Sequence, residues 1–120
     1  MAHTAKEIEA QLPLPPATFH VLLALAAGER HGYGIIQDVE EATDGDLRLS
    51  AGTLYRTLQR LVERGMIVES SAKTIRALDD PRRRYYRLTA FGTAVARAET
   101  ARLARMVRIA HATGLAAEAT

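Results

Sequence analysis

The chain has 120 residues, 48% of them hydrophobic and 25% charged, which suits one soluble domain with a modest core. It contains no cysteine, so disulfides and thiolate metal sites are excluded, and its formal net charge is only +2. No basic region followed by an apolar run marks a signal peptide, and the most apolar stretch, residues 19–27, is too short to span a bilayer. The expected setting is therefore cytoplasmic, with no membrane as partner.

Taken in chain order, residues 4–11 suit a short helix that Pro13, Pro15 and Pro16 end, and the same prolines suit the first turn of the next. From Ala17 to Ala27, the residues Phe19, Leu22, Leu23 and Ala26 recur at helical spacing, and Gly28 is a natural stop. The glycines of "HGYGI" (His31–Ile35) interrupt the pattern. Tyr33, Ile36 and Val39 resume it as a second core helix reaching about Thr43. In "DLRLS", Leu47 and Leu49 alternate with Arg48 as in a brief strand.

Ser50 is a good N-cap and Gly65 a good stop for a third helix. Leu54, Leu58, Leu61 and Val62 cluster on one face of it. Thr53, Arg56, Gln59, Arg60 and Glu63 occupy the other. "MIVES" and "RRRYYRLT" read as two strands of a hairpin, with Tyr86 and Leu88 on the half-buried side and Asp79, Asp80 and Pro81 turning the tip. A long helix follows from a Thr89 cap to about His111. Its apolar stripe of Phe91, Val95, Leu103, Met106, Val107 and Ala110 is longer than one small core can cover, which points to a second copy of the chain. Residues 113–120 are expected to fray.

The charges are unevenly spread. Residues 1–49 hold three basic and eight acidic side chains, whereas residues 50–88 hold nine basic and four acidic. That basic block coincides with the third helix and the hairpin, and the element order is that of a winged helix-turn-helix. The expected fold is thus mostly α with a small β-hairpin. A winged helix-turn-helix occupies residues 1–88, with its wing at about 66–88, and a dimerisation helix occupies 89–112. The third helix of such a domain can enter the major groove, where Arg pairs with guanine and Gln with adenine. Hydroxyls of Ser, Thr and Tyr suit phosphate oxygens. Arg82 and Arg83 at the wing tip suit phosphate or minor-groove contacts. Tyr33, at a helix start where free amides favour phosphate, is equally readable as a packed tyrosine, and Tyr85 is likewise open.

Enzymatic readings find no support. His3, His20, His31 and His111 are scattered without metal-ligand spacing, and no nucleophile elbow or phosphate loop is present. No cofactor or metal is expected. The competing reading is a winged-helix module that binds protein without DNA; its exposed face should be apolar or mixed in charge, unlike the Arg, Gln and Thr seen here.

Three segments, "HGYGI", "LSAGTLYRTLQRLVERGMI" and "DDPRRRYYRLTAFG", resemble in order and spacing the PadR family of bacterial transcriptional regulators. The resemblance covers roughly residues 17–110. It implies a dimeric winged-helix regulator, most often a repressor, that binds double-stranded operator DNA at an inverted repeat and joins through its C-terminal helix. It also implies release by a small-molecule or stress signal. A single helix after the wing resembles the short branch of the family. By the same resemblance, Ser50, Thr53, Tyr55, Arg56 and Arg60 are recognition-helix residues. The family's usual proline is replaced by Ala51, which removes a preset φ at the helix start but leaves the DNA-facing chemistry untouched.

Overall fold

The computed structural model describes residues 3–70 and 83–115. Helix α1 (Ala5–Glu9) begins at a capping box in which Thr4 and Glu7 satisfy one another's backbone amides. Helix α2 (Pro16–Ala26) starts on a proline and ends before Gly28, whose φ of +140° no other residue adopts easily. Its buried residues are Val21, Leu22 and Leu25, with Phe19 half-buried against the core, while Leu23 and Ala26 are exposed. The stripe expected from spacing is therefore rotated. The helix is apolar nearly all round, so periodicity alone cannot say which side faces in.

The short first strand also lies elsewhere than expected. Strand β1 is Arg30–His31, before α3 (Gly32–Ala42), and Leu47–Leu49 is not part of the sheet. The Thr43 hydroxyl accepts the Leu47 N–H at 3.0 Å, so this segment continues the helix-terminal turn, although Leu49 is buried as the alternation implied. In α3 the inward residues are Gly32, Ile35 and Val39; Tyr33 points outward and Ile36 lies between. Helix α4 (Ala51–Glu63) has the expected Ser50 cap and buries Leu54, Leu58 and Leu61, but Val62 is exposed.

Strands β2 (Ile67–Glu69) and β3 (Tyr85–Leu88) pair antiparallel, and β1 joins the other edge of β3 to give the order β1-β3-β2. Tyr86 is buried and Arg87 exposed, as the alternation required. Helix α5 (Ala90–Ala112) is capped by Thr89, whose hydroxyl accepts the Gly92 N–H and donates to the Gly65 carbonyl at 2.6 Å. Of the tail expected to fray, Thr113–Leu115 close α5, with Gly114 at φ +79° and the Leu115 N–H on the Ala110 carbonyl. The expected turn residues Asp79, Asp80 and Pro81, together with Arg82, lie outside the described residues.

Candidate nucleic-acid interface

Helices α3 and α4 form the helix-turn-helix, and α4 is held by three leucines below so that its opposite face stands clear. Arg56, Gln59, Arg60 and Glu63 are exposed there and border a shallow concavity of about 220 Å³. Local hydrogen bonds set the geometry of the first turn. The Ser50 Oγ accepts the Thr53 N–H at 3.1 Å and donates to Thr53 Oγ1 at 3.0 Å, and Arg56 Nη2 reaches the same Thr53 hydroxyl at 3.4 Å. Gln59 Nε2 donates to Glu63 Oε1 at 3.3 Å. Because a carboxylate only accepts, that bond fixes which end of the Gln59 amide is nitrogen.

Beside α4, the start of α3 and the base of the wing frame a cleft of about 470 Å³. It is lined by His31, Gly32, Tyr33, Tyr55, Arg83, Arg84 and Tyr86. Gly32 leaves room for Tyr55 against the start of α3: a Cβ there would lie 2.7 Å from the Tyr55 hydroxyl. His31 caps α3 by accepting the Gly34 N–H on Nδ1 at 3.1 Å, while its Nε2 lies 3.3 Å from Arg83 Nη1. Tyr85 meets the same ring edge-on, with centroids 5.4 Å apart, and Tyr86 is buried, which raises its phenol above the ordinary value.

The structure thus gathers Tyr33, Tyr55 and Arg83 at one cleft and Thr53, Arg56, Gln59 and Arg60 on the adjoining helix face. Tyr33 is exposed and not packed in the core, while Tyr85 is half-buried with its ring edge-on to His31. Sequence reasoning misses His31 and Arg84. The first is signalled by its place before "GYG", where a helix cap is needed. The second is masked by its position in a triplet, since strand alternation turns one arginine away. Arg84 precedes β3 and obeys no such alternation.

The stripe assigned to dimerisation divides. Phe91 and Val95 are 7% and 0% exposed, packed into the domain's own core against the other helices, so they are not available to a second copy. Leu103 and Ala110 are half-buried, Met106 and Val107 are each 53% exposed, and Ile109, which the stripe omitted, is 61% exposed. No helix among the described residues is long and apolar enough to cross a membrane, and no cluster of His, Cys, Asp or Glu among them could hold a metal.

Comparison with known proteins places this geometry. The profile of the transcriptional regulator PadR-like family matches residues 21–98. An uncharacterized protein of Lysinibacillus sphaericus is 31% identical over 74 residues, 62% of this chain; the chain spans 65% of that protein's length. Among solved structures, a PadR-like transcription factor from Bacteroides fragilis superposes with a TM-score of 0.68 at 23% identity, covering 88% of this chain and 97% of that one. A transcriptional regulator from Clostridium thermocellum gives 0.66 at 21% identity over 92% and 96%. RosR of H. salinarum gives 0.60 at 24% over 91% and 84%.

Proposed function

The chain belongs to the PadR-like family of transcriptional regulators, and on that premise we propose that it is a homodimeric repressor reading an inverted repeat in double-stranded DNA. The observation that carries this reading is the face of α4: Arg56, Gln59 and Arg60 stand exposed opposite buried Leu54, Leu58 and Leu61. Two such helices enter successive major grooves about 34 Å apart. Thr53 and Ser50 at the helix start, and Tyr33, Tyr55 and Arg83 in the adjoining cleft, hold the phosphates on either side. The second copy joins through Met106, Val107 and Ile109, with Leu103 and Ala110 beside them. A small-molecule effector or stress signal releases the operator, in the cytoplasm, by changing the angle between the two α5 helices and so favouring a state of low affinity. A protein-docking module would present an apolar face where this chain presents arginine, glutamine and threonine.

The test is titration of fluorescent duplexes from upstream of the gene at rising salt. Specific binding that weakens steeply with salt is expected. Arg56→Ala or Arg60→Ala should cost about 1–3 kcal/mol on the operator and relax selectivity, whereas Arg83→Ala should weaken all sequences alike. Absence of binding to any upstream fragment would overturn the reading.

A further inference from the structure

Glu99 is 1% exposed, a carboxylate at the end of the buried stretch of α5, and reading DNA gives it no task. Burying a carboxylate costs several kcal/mol unless donors surround it, and an apolar side chain of similar volume would pack there more cheaply. Glu99 has three donors. Arg102 Nε lies 2.5 Å from Oε1 and Arg102 Nη2 3.1 Å from Oε2, and the Leu14 backbone N–H donates to Oε2 at 2.8 Å. The last of these joins residues 85 positions apart. Leu14 stands in "PLPP", residues 13–16, where the three prolines have no N–H, so the carboxylate holds the one backbone donor of that run.

The N-terminal arm meets α5 at a second point. The His3 ring stacks on Phe91 with centroids 3.8 Å apart, and Ile8 and Leu12 pack on the core between. Phe91 and Glu99 are two turns apart on α5, so contacts at both set a direction. Beyond Glu99 the helix is exposed or half-buried throughout. The eleven steps along the helix from Glu99 to Ala110 span about 16 Å, and a tilt of roughly 10° at the base moves the far end about 3 Å. That is close to the 3.4 Å rise of one base pair.

We propose that Glu99 is a positioning residue: by latching the proline-stiffened arm to α5 where the helix leaves the domain, it sets the spacing between half-sites that the dimer accepts. This rests on the dimeric DNA-binding reading above. Glu99→Met keeps the volume and removes both acceptor oxygens; Glu99→Gln keeps an acceptor for the Leu14 N–H. Each is titrated against operators whose spacer is native or one base pair longer or shorter, and against a single half-site. The wild-type protein should prefer the native spacer about tenfold or more. Glu99→Met should narrow that preference to within about threefold while half-site affinity changes less than twofold, and Glu99→Gln should restore most of it. Glu99→Leu, which likewise removes both acceptor oxygens in the full chain, should behave as Glu99→Met and serves if that variant does not fold. Wild-type spacer preference in either variant would overturn the proposal. Failure of the wild-type protein to bind any of these duplexes would instead overturn the DNA-binding reading itself.

Discussion

The two halves of α5 carry the same kind of side chain on one continuing face and meet opposite fates. Phe91 and Val95 are sealed into the core, whereas Met106 and Val107, three to four turns on, are each more than half exposed. Helical spacing is a property of α5; burial is a property of what lies against it. The arm, α2 and the turn at Met66 cover only the first half. Glu99 marks the border, and beyond it Met106, Val107 and Ile109 are all more than half exposed. The first half thus belongs to the fold, and the second is the surface that the proposed dimer would use. Each change below either breaks that division or makes it sharper.

The largest effect is expected at Gly92. A Cβ there would lie 1.9 Å from the Met66 carbonyl oxygen and 2.8 Å from its carbon, backbone against backbone, with no flexible end to move aside. Gly92→Ala should therefore destabilise the protein by at least about 3 kcal/mol, a large share of the stability of an ordinary domain. Urea unfolding measures it. A loss below about 1 kcal/mol would mean that α5 can lift off the Met66 turn, and that its first half is no more built in than its second.

A smaller loss is expected at the border. Glu99→Ala strands the Leu14 N–H and removes the partner of Arg102, which can still reach water, so about 2 kcal/mol is expected. The same carboxyl makes the fold sensitive to acid. Hydrogen bonds from Arg102, and then from the Leu14 amide, hold its pKa below the ordinary carboxylate value although burial opposes them. A depressed folded pKa contributes stability that is present above the unfolded value, about 4.3, and is lost as pH falls through the folded one. The stability gap between wild type and Glu99→Ala should therefore shrink below about pH 4, as unfolding measured at several pH values would show. A gap that stays constant into acid would mean that the carboxylate charge contributes nothing to the latch.

Much of this division is legible in the residue pattern alone. The caps Ser50 and Thr89, the stop at Gly65 and the leucine ladder of α4 are local signals, and the fold uses each of them where the pattern puts it. The outward arginines follow from them. What the pattern leaves open depends on contacts far along the chain. Nothing local says that Arg30–His31 pairs with Tyr85–Tyr86, that Gly92 sits under Met66, or that Glu99 reaches Leu14. Apolar spacing also cannot tell a residue packed in its own core from one left exposed, which is why Phe91 and Met106 fall into one stripe. Of the candidate site, the helix face is visible as pattern, while the cleft joining His31, Tyr55 and Arg83 exists only once three separate segments meet.

The second half of α5 should contribute nothing to the folding of the single protomer, and Met106→Asp tests that directly. The side chain is half exposed, and Arg102 Nη1 approaches its sulfur, a weak acceptor, at 3.1 Å. Sedimentation velocity should show the wild type as a dimer and the variant as a monomer, because a carboxylate at the joint would have to be stripped of water there. Stability must be compared with care, since a dimer gains from mass action as concentration rises. At concentrations where the wild type is itself dissociated, the two should unfold within about 0.5 kcal/mol of each other, the range of an innocuous surface change. At higher concentrations the wild type alone should gain. Should the variant be less stable even at high dilution, the second half of the helix would be supporting its own domain, and the border at Glu99 would have to move toward the C-terminus.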